Sequence, residues 1–535
     1  MDTKSNDITN EREELDFILK SSVPGLVSDV KRSDSVIQAE SPTASQEGGA
    51  AGHKVLVEPS IFNMGILLPP SLDFLKRLRE VVPPGSDIVV TTLTSFLDDF
   101  LINVFLPQLE ETLIDLSAST ILEADAFQQD AQWSLHSQKP IFHGTSRFYN
   151  LISAFCTVLD NLPHDQAFSQ LLIDQMVGYY DKCLSWYKVL VGRSAAHSSG
   201  RTLKAAATLA EGGEMHAVLL AMLEAGEDTS EDLINKEVHE LLRMSRDDPL
   251  EGSDLIQDEK TITALCILHS SMRWLAAKFK QLRYISDSST DSSRENPRRS
   301  QLQRRWTVVT SPDNLPQDGA VYLPLNQDTA TAFDAALTSY THLSTTVLLT
   351  LHAELRCRTL HHLSHALSTP LLLPLPVPDP DPSILTLTTS LASLDATLSS
   401  HLPDRQRAYL TTGLSSLIDA LILSAFVPTS PSAPAQGEDG NHGNSNSNNS
   451  SSSNSGGKKE APPATIKAMN ANGSAKMHLS ILILQQLLKT IETSTSSALS
   501  LSSSPFHSPN ATSTHHLAKS TAFFDLFDAG AAAVV

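Results

Sequence analysis

At 535 residues, 41% of them hydrophobic and only 6% aromatic, the chain is long enough for several domains, and its recurrent leucines favour helices over sheets. A net charge of −21 argues against general nucleic-acid binding, which needs cations to displace counterions from phosphate. No apolar run approaches the ~18 residues of a membrane span, and the opening MDTKSNDITNEREEL is the reverse of a signal peptide.

Residues 1–53 are polar and rich in Ser, Glu and Gly, apart from the short apolar piece LDFILKSSVPGLV, and are expected to be disordered. A helical-bundle region is expected over 54–285. In it, Phe96, Phe100, Val104, Leu109, Leu113 and Leu116 recur near the helical period, Ser95 and Asp98 stand like a capping box, and Pro107 predicts a kink. SRFYNLISAFCTVLDNL and the apolar series Phe168, Leu171, Leu172, Met176, Tyr179, Cys183, Trp186, Leu190 predict an antiparallel pair of helices joined near Pro163. Two more helices are expected over 201–226 and 231–244, and Glu211–Glu259 carries 15 acids against three basic residues, an acidic face or loop. Another helix starts at Thr261.

Residues 286–320 lose apolar periodicity and form a basic, polar loop. A second helical-bundle region is expected over 321–427. Its core is the long stretch from Thr331 to Leu367, one helix or two in line, followed by a proline-rich link and two further helices. Residues 428–476 collapse to Ser, Asn, Gly and Pro and cannot bury enough surface to fold, while 477–535 return to helix. No repeat of constant period and no alternation of period two is present, so sheet should be near nil. The fold class is all-α, and so long an array of amphipathic helices suits an elongated scaffold.

Chemical motifs are weak. Thr350–Leu367 holds four of the 19 histidines. At about 100° per residue, Leu348, Leu349, Leu351, Leu355, Leu363 and Leu367 share a core side, and Glu354, Arg358, His361 and His365 are expected to face water opposite it, with Glu354 and Arg358 paired across one turn. His361 and His365 supply only two metal ligands where zinc needs three or four, so no metal is assigned. HELLR at His239–Arg243 has Arg243 where a zinc protease needs its second histidine, and no phosphate loop, dinucleotide motif or nucleophile elbow is present. The chain therefore reads as a non-enzyme without cofactor, a dispersed hydrolase triad being the reading that a deep pocket of titratable groups would support. Cys156, Cys183, Cys266 and Cys357 form no CxxC pair and read as reduced core thiols of a cytosolic protein.

The window Arg273–Arg305 holds nine Lys/Arg against three acids. It reads as a flexible connector or as a candidate contact for an anionic lipid surface, an acidic partner or a small GTPase, with Arg298, Arg299, Arg304 and Arg305 as the contact residues of a lipid or GTPase adaptor. Serines in the 286–300 loop, flanked by arginine or aspartate, are candidate phosphate acceptors.

GHKVLVEPSIFNMGILLPPSLDFLKRL, SFLDDFLINVFLPQLEETL, QKPIFHGTSRFYNLISAFCTVLDNLP, QLLIDQMVGYYDKCLSWYKVLV and LPLNQDTATAFDAALTSYTHLSTTVLLTLHAELRC together resemble the exocyst component 4 family in its fungal form, as do MHLSILILQQLLKTIE and STAFFDLFDAG. The resemblance covers most of residues 52–427 and two later patches. It implies a helical rod of consecutive bundles, a subunit of the octameric tether that holds secretory vesicles at the plasma membrane before fusion. It also implies a cytoplasmic location, peripheral at sites of secretion, and partners among the other exocyst subunits, notably exocyst component 3, with small GTPases or fusion proteins besides. The amino-terminal coiled coil of that family is expected to be missing from this sequence, and the Ser/Asn tract looks like an insertion.

Overall fold

The computed structural model describes residues 63–81, 99–160, 166–193, 202–285, 321–374, 379–426, 469–502 and 516–534. The disorder expected for 1–53, the Ser95/Asp98 capping box, the 286–320 loop and nearly all of the 428–476 tract lie outside these residues. Two compact units divide the chain, Met1–Leu67 and Leu68–Val535, and the packing below belongs to the second. The elements formed by the described residues are helices, apart from one short strand pair, which bears out the all-α class.

Helix α1 spans Met64–Val81. The predicted kink at Pro107 is realised as a π-helical turn, Leu101–Phe105, leading directly into α2, Leu106–Leu122. Leu106 N–H reaches back five residues to Leu101 O, and Pro107, the second residue of α2, has no N–H to donate into that turn. The extra residue in that turn shifts the phase of the stripe. Leu101, Phe105, Leu109 and Leu113 are buried, while Val104 and Leu116, expected inside, are exposed.

The expected antiparallel pair is α3, His143–Asp160, and α4, Gln166–Val191. Phe148 stacks on Tyr179 at 4.3 Å and Thr145 Oγ1 lies 3.0 Å from the Tyr179 hydroxyl, so the start of α3 meets the middle of α4. The 201–226 segment makes two helices where one was predicted. Helices α5, Ala205–Glu211, and α6, Gly213–Ala225, are parted at Gly213, whose φ of +87° is open to glycine and costly to other residues. Then come α7, Glu231–Asp247, capped by Ser230, and α8, Glu259–Leu282, capped by Asp258. Strands β1, Arg283–Ile285, and β2, Leu323–Leu325, pair in parallel.

Helix α9, Gln327–Ser368, is a single helix of 42 residues, opened by a capping box of Asn326 and Thr329. It is followed by α10, Pro382–His401, α11, Asp404–Thr411, and α12, Leu414–Phe426. Helices α4, α5, α8, α10, α11 and α12 all pack on α9, and every residue from Thr346 to Leu360 is buried. Asp404–Phe426 is long and apolar enough by composition to cross a membrane, contrary to the reading from runs alone. In this bundle Gly413, at φ +80°, breaks it in two, and Arg407 and Asp419 are buried with polar partners, as in a core helix.

Helix α13, Ala471–Ser502, starts ahead of the apolar pattern that predicts it, and α14, Ala518–Val534, packs beside it. The start of α13 is clamped to the strand-like segment at 371–373. Asn470 Nδ2 donates to Leu373 O, Leu373 N donates to Asn470 Oδ1, and Gly473 brings its Cα so near Leu371 that a Cβ would lie 2.0 Å from the Leu371 carbonyl oxygen.

Candidate functional site: the buried charges of the central helix

The water-facing stripe expected on α9 is not there. Glu354 and Arg358 do pair, Arg358 Nε to Glu354 Oε1 at 2.8 Å, but both are buried. A one-sided leucine stripe predicts a helix with a single dry side. With six helices packed round it, α9 has none that is wet between Thr346 and Leu360. His361 is half-buried with Nδ1 on Leu250 O at 3.1 Å, and His365, exposed, meets Ser383 Oγ at 2.9 Å.

His352, Glu354, Arg356 and Arg358 are spaced by two. On a helix, steps of two turn 200°, so 352 and 356 share one side and 354 and 358 the opposite one. Each side holds a different neighbour. On the first, Glu237 of α7 accepts from His352 Nε2 at 2.8 Å and from Arg356 Nε at 2.9 Å. Arg356 then donates to Leu410 O at 2.5 Å and to Thr412 O, the carbonyls left without helical partners where α11 ends at Gly413. On the second side, Glu354 Oε1 accepts from Ile256 N–H at 2.9 Å while Arg358 donates to Ile256 O, so one ion pair grips both polar groups of a residue in the α7–α8 connection. Arg358 also donates to Ser390 of α10.

Burial opposes the charge on Glu237, but Arg356 and His352 outweigh it and hold its pKa down at about 2. Burial, reinforced by Arg356, lowers His352, so a neutral imidazole donating through Nε2 fits the site. Burial raises Glu354 despite Arg358 beside it. These groups tie α7, α10, α11 and the α7–α8 connection to α9. A period-two row of polar residues inside a leucine-rich helix was the available signal for this, since no single solvated face can hold it.

An open cleft of about 690 Å³ is lined by Phe127, Phe142, Ile267, Glu259 and His401 among others. Glu259 accepts from Ser393 and Thr397, and His401 Nδ1 faces Thr397 O of its own helix at 2.8 Å. Ser400 Oγ also lies 2.7 Å from that nitrogen, but no carboxylate among the described residues is hydrogen-bonded to His401, as the orienting group of a hydrolase would be. Glu123, Asp125 and His143 place ligand atoms within 4.8 Å of one another, yet Glu123 is paired with Arg147 and Asp125 with His143, which balances the charge that a cation would meet. His239 of the HELLR motif is exposed on α7, next to Glu240. The four cysteines are free and buried. Arg298, Arg299, Arg304 and Arg305 lie outside the described residues.

Fold and site together define a class: an all-helical protein whose buried charges serve the packing of helix on helix. A family model described as "Exocyst complex component Sec8 C-terminal" matches residues 1–72. "Probable exocyst complex component sec8" of Neurospora crassa is 38% identical over 517 residues, covering 92% of this chain and 43% of its own length. "Exocyst complex component sec8" of Schizosaccharomyces pombe is 23% identical over 73% of this chain and 37% of its own, and human "Exocyst complex component 4" is 20% identical over 71% and 38%. The chain is similar to members of the Sec8 family, exocyst component 4, along most of its own length, and spans less than half the length of these relatives.

Proposed function

We propose that the chain is an exocyst subunit that acts as a non-catalytic scaffold, helping to tether secretory vesicles to the plasma membrane before fusion. It works from the cytoplasm and reaches the membrane through the assembled complex, with other exocyst subunits, notably exocyst component 3, as its partners. Small GTPases or fusion proteins are further candidates. The observation that carries this reading is the 38% identity maintained along 92% of the chain to the Neurospora protein named as an exocyst component. Packing is the chemistry such a role needs, and the buried charges of α9 supply stiffness to it.

The test is a pull-down of the tagged chain from fungal extract with identification of the co-purifying proteins. Recovery of the other exocyst subunits supports the reading, and a preparation without any of them, under conditions that keep the complex intact, overturns it. The alternative is an adaptor that binds an anionic surface or a small GTPase through the basic 273–305 region. Sedimentation with anionic vesicles separates the two, because reversal of Arg298, Arg299, Arg304 and Arg305 abolishes binding by an adaptor and leaves a scaffold unchanged.

A further inference from the structure

The exposed side of α8 is unlike the rest of this acidic chain. From Thr261 to Ile285 the sequence contains no Asp or Glu, and it carries Arg273, Lys278, Lys280 and Arg283. Only Arg283 has a carboxylate partner among the described residues, Asp334 at 2.7 Å. Arg273 and Lys280 are exposed and Lys278 half-buried. Lys278 Nζ lies 5.8 Å from the ring centre of Tyr149 and 5.9 Å from that of Trp274, and those two rings meet edge to face at 5.3 Å.

The loop between α2 and α3 extends this patch and is held rigidly. Trp274 Nε1 donates to His136 O at 3.0 Å, Ser271 Oγ accepts from Phe142 N–H at 2.9 Å, and Gln129 bridges Phe142. Of the acids in that loop, Asp130 is buried and accepts from Ser146 at 2.7 Å, while Glu123 and Asp125 are engaged by Arg147 and His143. Beside His136, Leu135 is 75% exposed. On α3 the sequence has no acid before Asp160, the last residue of the helix.

We infer that this face, Leu135, Tyr149 and Trp274 ringed by Arg273, Lys278 and Lys280, docks an acidic segment of a partner protein that carries apolar or aromatic side chains between its carboxylates. Tryptophan, tyrosine and arginine are the residues that dominate interface energetics, and a rigid, pre-formed patch loses little entropy on binding. Charge complementarity decides the occupant: three cations without carboxylate partners among the described residues attract acids. A lipid surface is the weaker fit, because three cations bring only about 3 kcal/mol at an anionic membrane.

This deepens the scaffold reading and rests on it, naming the chemistry of one surface. The test uses the purified full chain and, as probe, a fluorescein-labelled peptide of about twelve residues alternating pairs of Glu with Leu and Phe, followed by fluorescence anisotropy at roughly physiological salt. The expected result is saturable binding, weakened at least about tenfold in R273E/K278E and in L135D, and no binding of the same peptide with Lys in place of Glu. Circular dichroism confirms that the variants keep their helix, and K278R retains binding. Equal binding by R273E/K278E, no binding of the acidic probe, or equal binding of the Lys peptide overturns the proposal. So does binding that moves to phosphatidylserine vesicles with the same sensitivity, or self-association of the chain that the charge reversal abolishes, since each installs another occupant. If the wild-type chain recovers exocyst subunits from extract but does not bind the acidic probe, the docking surface falls and the scaffold reading stands.

Discussion

Arg356 joins three separate elements, and replacing it with methionine, which keeps most of the volume, isolates the charge from the packing. The Arg356→Met change leaves Glu237 buried with His352 as its remaining partner and strips Leu410 O and Thr412 O of a donor. Breaking a buried pair by removing one partner costs about 3–5 kcal/mol. The depression of Glu237 to about 2, against an ordinary 4.5, corresponds to roughly 3 kcal/mol by an independent route. A loss of that size is a large part of the 5–15 kcal/mol typical of a folded protein. The assay is urea unfolding followed by helical circular dichroism at several pH values. In the wild type, the Glu237 contribution is complete above about pH 4.5 and fades as the pH falls toward 2. In the variant, the unpaired carboxylate gains from a proton, on itself or on His352, so the deficit is largest near neutral pH and shrinks on acidification. Removing both charges, as in Glu237→Met with Arg356→Met, recovers part of the loss, because two apolar groups leave no charge unpaired. A deficit below about 1 kcal/mol at neutral pH, or one that does not change with pH, refutes the role given to this network.

Three further outcomes are expected. His269 donates through Nδ1 to Ser344 O, and burial pushes its pKa down to about 4. Stability it contributes is therefore whole above about pH 6.5 and declines by roughly 3 kcal/mol as the pH falls to 4, a slope that His269→Gln flattens in the same urea assay. Gly473→Ala drives a methyl into the Leu371 carbonyl, so it costs about 3 kcal/mol and exposes α13 to limited proteolysis; an unchanged cleavage pattern counts against the clamp. The thiols of Cys156, Cys183, Cys266 and Cys357 are buried, with burial pushing Cys183 up to about 12. Maleimide at about pH 8 thus labels the native chain at none of them and the urea-unfolded chain at all four.

Much of this architecture is written in local pattern. Proline marks the break at Pro107, whereas those at Gly213 and Gly413 fall inside segments read as single helices; apolar spacing near 3.6 marks α2, α3, α4, α8, α10 and α13, and the absence of alternation agrees with a single three-residue strand pair among the described residues. These are properties of a few neighbouring residues, so a single chain states them. It could not state how many neighbours a helix has. Whether Glu354 and Arg358 face water or Ile256 depends on helices from residues 205 to 426 closing round α9, and leucine spacing is the same for a helix with one dry side as for one with two. The π turn before Pro107 is of the same kind, one extra residue that moves the buried positions to Leu101 and Phe105. Periodicity fixed the helices because their hydrogen bonds run within the segment. The fate of each charge was left to the tertiary structure, because burial is decided by what distant parts of the chain bring against it.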